Sequence, residues 1–300
     1  MRVLALIVAL LPLQVQAAEI VLTGPPIWES APLIALAESQ PVDDVTFIFR
    51  PWGSPEELRK TIMSDQPAMA VAPSPTASIF AASGIGLRVM SATVTEGSIS
   101  IVGRGAPVAR LGDLEGASLA LPFKGYLPDL MMRRIAQPGS ESWQPHYTGN
   151  PVAGMQLLIA GRVDTALLAE PMATLALTQD AALGRKADLC TLWRDATELT
   201  DCPPAGVVVV NDAFENNPQI RGAYLAAFHA LAANPGNAAD LLSLHFPHMA
   251  RARAGFSRIR ALDLPIPERQ GVLAAFFAEI MSIEPAAIGG ALPGPDFYGR

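Results

Sequence analysis

The chain has 300 residues and a formal net charge of −7; half of it is hydrophobic and only 16% is charged. That composition excludes intrinsic disorder and demands a sizeable core. It also argues against a nucleic-acid partner, because neutralising phosphates needs clustered Lys and Arg, and the one such cluster (Arg251, Arg253, Arg258, Arg260) reads as a solvated helix face.

The chain opens with Met1 and Arg2, runs apolar over residues 3–13, and turns small and polar through Gln14, Val15, Gln16 and Ala17. A basic start, a short apolar run and a small-x-small site define a removable secretory signal. Val15 and Ala17 occupy the two small-residue positions, so cleavage is expected after about Ala17. The apolar run falls short of the ~20 residues that span a bilayer, and no Cys follows it to carry a lipid. The mature protein is therefore expected to be soluble and exported, in a periplasmic compartment.

Strand-like and helix-like segments then alternate. Residues 18–23 read as a buried strand closed by Gly24-Pro25-Pro26, and residues 30–38 as a helix. Residues 45–50 alternate like a strand. Ser54-Pro55-Glu56-Glu57 starts a helix, with Ser54 as cap, Pro55 in the first turn and Glu57 closing a capping box. A strand at 69–72, a helix at 76–82 and strands at 89–95 and 98–102 follow. A second series starts after Gly103-Arg104-Gly105: strand 119–121, helices 128–136 and 152–160, strand 165–168 and helix 171–179. Residues 207–210 form a β-branched strand, and the remainder is helical over 218–233, 238–244 and 267–281. This alternation predicts an α/β protein with largely parallel sheets.

One internal echo stands out. Ala72-Pro73-Ser74-Pro75-Thr76-Ala77 and Leu168-Ala169-Glu170-Pro171-Met172-Ala173 each follow a short apolar strand and open a helix. In each, the polar residue before Pro is expected to cap the helix. If the echo is structural, the chain holds two similar lobes. Cys190 and Cys202 lie twelve positions apart; export favours a disulfide over free thiols. No metal-ligand, nucleophile–base or phosphate-loop motif is present, and His245 and His248 are separated by Phe246-Pro247, which breaks a helical face. No metal and no cofactor are expected, and binding is favoured over catalysis.

Leu111-Gly112-Asp113-Leu114-Glu115-Gly116 followed by strand 118–121 resembles the opening of the second lobe in periplasmic solute-binding proteins. Ala160-Gly161-Arg162-Val163-Asp164 through Glu170-Pro171 resembles a second segment of the same proteins, in the nitrate, sulfonate, taurine and thiamine-precursor branch of ABC importers. The resemblance runs over most of residues 20–211. One departure is the short stretch Ala37-Glu38-Ser39-Gln40 after the first helix. The resemblance implies a two-lobed periplasmic-binding-protein-like fold of type II, each lobe a mostly parallel sheet with flanking helices. Lobe one would hold residues 18–102 and 204–300, and lobe two residues 103–203, with crossovers near Val102 and Pro203. It further implies a monomer that captures a small molecule for a membrane permease and its ATPase. The alternatives are an enzyme on the same fold, as in menaquinone-pathway or pyrimidine-synthase relatives, and a ligand-sensing input to a membrane receptor.

Ligands of open parallel sheets bind beyond the carboxyl ends of strands, at helix N-termini. That rule nominates loops 25–30, 52–54, 74–76, 123–129 and 170–171, with residues 93–97 nearby. The candidate ligand contacts are Trp28, Glu29, Trp52, Ser74, Thr76, Thr95, Phe123, Lys124, Tyr126 and Glu170. Each has a plainer reading: packing for the tryptophans, helix capping for Ser74 and Thr76, loop exposure for Lys124, support of a helix start for Glu170. Trp28, Trp52, Phe123 and Tyr126 are expected to clamp a planar group, and Lys124 is the only fixed cation among these loops. A small organic ligand is therefore favoured over a bare anion, although helix N-termini leave an anion open.

Overall fold

The computed structural model of the protein describes residues 18–136 and 143–299; the expected leader and its cleavage site lie outside the described residues. The chain begins with β1 (Ala18–Gly24), α1 (Ala31–Ala37), β2 (Val45–Pro51), α2 (Pro55–Ile62), β3 (Ala68–Pro73), α3 (Ser74–Ala82) and β4 (Leu87–Glu96). A second set follows: β5 (Ile99–Arg104), β6 (Ser118–Leu121), α4 (Leu127–Ala136), β7 (Gln144–Tyr147), α5 (Pro151–Ile159), β8 (Thr165–Ala169), α6 (Met172–Gln179), β9 (Leu183–Asp188) and α7 (Leu189–Ala196). The chain then adds β10 (Gly206–Asn211), α8 (Pro218–Ala233), α9 (Ala238–Ser243), α10 (Arg253–Phe256), β11 (Arg260–Asp263) and α11 (Ile266–Ile283).

Local chemistry sets several of these boundaries. The Ser54 hydroxyl accepts from Glu57 N–H at 3.2 Å, and the Glu57 carboxylate accepts from Gly53 N–H at 2.6 Å. The expected box thus forms with its return bond one residue earlier. Asn150 caps α5 through Ala153 N–H at 2.8 Å, and Asn217 caps α8 through Gln219 N–H at 2.9 Å.

The strands form two sheets, a six-stranded one ordered β11-β4-β10-β3-β1-β2 and a five-stranded one ordered β7-β6-β8-β5-β9. The two-lobed α/β architecture is thus present, but the sheets are mixed rather than mostly parallel. In the first, β1 pairs with β2 and β3 in parallel, while β10 pairs antiparallel with β3 and β4. In the second, β6 pairs in parallel with β7 and β8, while β5 pairs antiparallel with β8 and β9. The cause is the connectivity. β5 and β10 each arrive from the other sheet and are inserted against the direction of their neighbours.

The order β2-β1-β3-β10-β4 therefore matches β7-β6-β8-β5-β9 strand for strand, in direction as well as position. The echo between residues 72–77 and 168–173 falls on the equivalent strands β3 and β8. Its capping interpretation holds for one half only: the Glu170 carboxylate accepts from Thr174 N–H in the first turn of α6 at 3.2 Å, whereas Ser74 does not cap α3. The Ser74 hydroxyl donates instead to Pro204 carbonyl at 2.7 Å.

The chain leaves the first sheet after Glu96 and joins the second at Ile99, so Val102 lies inside a strand of the second sheet rather than at the crossover. It returns through α7 and residues 197–205, where Cys190 and Cys202 are joined as a disulfide with Cα atoms 4.9 Å apart. Apolar layers cover both faces of the sheets and run through both lobes. One joins Phe80 and Val94 to Leu119, Trp193 and Phe276; the other joins Trp28 and Ile34 to Leu168, Met172 and Phe256. The C-terminal segment clasps the second lobe, with α11 packing on α4 and α10 on α6.

Candidate functional site

Between the sheets lies a cavity of about 120 Å³. Lobe one contributes Trp28, Glu29, Trp52, Pro73 and Thr95 near the end of β4; the second sheet and its loops contribute Ile99, Leu127, Ala169 and Glu170; Ser98 comes from the crossover. Its walls sit where β1, β3 and β8 end, which is where open parallel sheets place their ligands. A wider groove of about 450 Å³ opens around Arg88, Asp212 and Arg221. That groove lies at the start of β4 and the end of β10, the opposite end of the first sheet from Thr95 and Gly206.

The lobe-one wall is aromatic and fixed. Trp28 is 1% exposed and meets the Phe228 ring edge-on at 5.3 Å between centroids. The Trp52 indole N–H donates to Val71 carbonyl at 3.0 Å, which pins the ring beside β3. Glu29 sits on the 3-10 turn Trp28–Ser30, and burial pushes its carboxyl above the usual carboxylate range. Gly206, the first residue of β10, lies directly behind it. A Cβ there would stand 3.3 Å from Glu29 Cγ, so glycine lets the acid reach the cavity wall.

The lobe-two wall is built differently. Glu170 is 2% exposed; its carboxylate is hydrogen-bonded and ion-paired to Arg185 and accepts from Thr174 N–H at 3.2 Å. Arg185 also donates to the Thr174 hydroxyl at 2.7 Å. From the C-terminal segment, Gly255 seats against this cluster: a Cβ there would overlap the Thr174 hydroxyl and the Glu170 carboxylate.

The outgoing crossover is tied to the second sheet beside the cavity. The Thr95 and Ser98 hydroxyls are 2.7 Å apart, and Ser98 carbonyl accepts from Glu170 N–H at 2.7 Å. The Asp188 carboxylate accepts from Gly97 N–H on the outgoing crossover at 3.0 Å and from Thr191 N–H at the head of α7 at 3.2 Å.

Of the ten candidate residues, Trp28, Glu29, Trp52, Thr95 and Glu170 line the cavity. The other five do not. Ser74 is buried and bonded to the return crossover, and Thr76 lies further along α3. Phe123 and Tyr126 are 39% and 46% exposed and pair with each other at 5.3 Å; Lys124 is exposed beside them. Leu127, at the start of α4, takes the position those rings were expected to hold. Ser98, Ile99, Ala205, Gly206 and Ile259 were not anticipated. Gly206 had a usable signal, a small residue at a strand start beside a crossover, whereas Ile259 reaches the site only through the long C-terminal return.

Solved structures share this architecture over nearly their full length. An ABC transporter structure from Parabacteroides distasonis aligns with a TM-score of 0.75 at 20% identity, covering 95% of this chain and 99% of that one. The ligand-binding component of an ABC-type import system from Staphylococcus aureus, with zinc bound, aligns at 0.67 and 14% identity, covering 94% and 96%. The periplasmic aliphatic sulphonate-binding protein of Escherichia coli aligns at 0.64 and 14% identity, covering 95% and 100%. This is the two-lobed fold of the periplasmic binding proteins. No protein-family model matches the chain, and no curated protein matches it by sequence. Among the described residues of this binding-protein fold, no group of three or more His, Cys, Asp or Glu side chains is placed to hold a metal ion.

Proposed function

We propose that the protein is the exported substrate-binding subunit of an ABC importer, capturing a small organic molecule between its lobes and presenting it to a membrane permease with its ATPase. The observation that carries this reading is the cavity at the sheet junction, lined by Trp28, Trp52, Ile99 and Leu127 and supported by elements of both lobes. Such a cavity forms only where the lobes meet, so occupancy and closure are coupled. The solved structures with this fold are described as import and binding components, which supports binding over catalysis. At about 120 Å³ the cavity is small beside the ~300–1,000 Å³ of drug-sized pockets. It compares with the roughly 150 Å³ apolar cavity that holds a benzene ring, which favours a compact ligand.

The test pairs a thermal-shift screen of small metabolites on the purified protein with cellular uptake of any hit. A hit should raise the melting temperature, quench tryptophan fluorescence and contract the protein in small-angle scattering. Its uptake should fall when the gene is deleted. A hit whose uptake is unchanged by the deletion overturns delivery to a permease; an unchanged radius of gyration at saturation overturns the clamp.

A further inference from the structure

Resting on that reading, we infer that the ligand is a small organic cation held by Glu29. The cavity is lined by two acids and, among the described residues, by no Lys, Arg or His. One of the acids, Glu170, has its charge answered within the fold by Arg185 and by Thr174 N–H. Glu29 forms no ion pair with any described residue; its one hydrogen bond is to its own backbone N–H. Its position is nonetheless built: Gly206 clears space for its side chain, and the buried Trp28 beside it is locked against Phe228.

An acid at an apolar wall with no cation is costly when ionised. Burial accordingly raises the Glu29 carboxyl above its ordinary range. A ligand ammonium, amidinium or protonated ring nitrogen would supply the missing charge and form the charge-assisted hydrogen bond that the chain does not. The neighbouring indoles suit the same ligand, since cations are attracted to aromatic faces. A nitrate or sulfonate would meet Glu29 without any lining cation to offset it. The expected occupant is therefore a compact cation with an apolar or planar body, as the volume requires.

The test is calorimetric titration of the mature protein with propylammonium, imidazolium and methylguanidinium. Propanol serves as a neutral control, and methanesulfonate and nitrate as anions. At least one cation is expected to bind, with neither anion competing. Glu29→Gln should weaken that cation by about tenfold to a hundredfold while its melting temperature stays at or above that of the natural protein. Binding of an anion or of propanol with no response to any cation overturns the cation assignment and leaves the binding-protein reading standing. Silence from every compound counts against the cation assignment in this size class, and the metabolite screen then decides the wider reading. Cation binding that survives Glu29→Gln undiminished overturns the role given to Glu29.

Discussion

Glu29 on the first lobe and Glu170 on the second face one cavity from opposite sides, yet only Glu170 has its charge answered by the chain. Its carboxylate is buried against Arg185, accepts from Thr174 N–H and is backed by Gly255. Glu29 has the aromatic wall around it and no cation. A buried acid whose partner belongs to the fold serves architecture: it ties β8, β9 and α6 to the C-terminal segment. A partly buried acid in an apolar wall without one is a destabilising group, kept where a ligand can complete it. The two lobes share strand order and direction, so the difference between the walls lies in the side chains rather than in the backbone frame.

Glu170 offers the largest test of that contrast. Glu170→Ala leaves the mostly buried Arg185 without its carboxylate, and removing one partner of a buried pair costs about 3–5 kcal/mol. Urea denaturation should show that loss, and adding Arg185→Met should restore much of it. A single-mutant loss close to zero would remove the distinction between the two acids.

Gly255 gives a middling effect. Gly255→Ala drives a methyl into the Thr174 hydroxyl and the Glu170 carboxylate, and overpacking of this kind costs about 1–3 kcal/mol. The same denaturation measurement checks it. Stability equal to the natural protein would show that the C-terminal segment is not seated on the Glu170 cluster.

The smallest effect should have the opposite sign. Because burial raises the Glu29 carboxyl, the folded state favours its protonated form. Its contribution to stability is then fully present below the unfolded carboxyl pKa and is lost as pH rises through the folded value. Glu29→Gln should therefore melt slightly above the natural protein near neutral pH, and the gap should close below about pH 4. Thermal melts across that range decide it; a variant that melts lower at neutral pH would mean that Glu29 is already satisfied within the fold.

By itself the sequence determined the element types wherever local chemistry was strong. The buried runs of β1, β3 and β10, the Ser54–Glu57 box, and the strand-to-helix junctions at residues 72–77 and 168–173 were all legible, because backbone preference and apolar burial act over a few residues. It also placed Trp28, Glu29, Trp52 and Glu170 at strand ends, where a cleft forms. The polar strands β7 and β9, the short β11 and the amphipathic α7 escaped notice. Gln144–Tyr147 and Leu183–Asp188 become strands only by pairing at a sheet edge, and nothing local to them specifies the partner. The tertiary structure alone decided the antiparallel insertion of β5 and β10, the crossover between Glu96 and Ile99, and the exposure of Phe123 and Tyr126. It also separated two acids that look alike in sequence, each beside a proline-bearing turn. Glu170 meets Arg185, fifteen residues on, only after β8, β5 and β9 line up side by side; Glu29 meets Gly206 and no cation. Charge compensation depends on which distant side chains the folded chain brings together, and local preference carries no record of that.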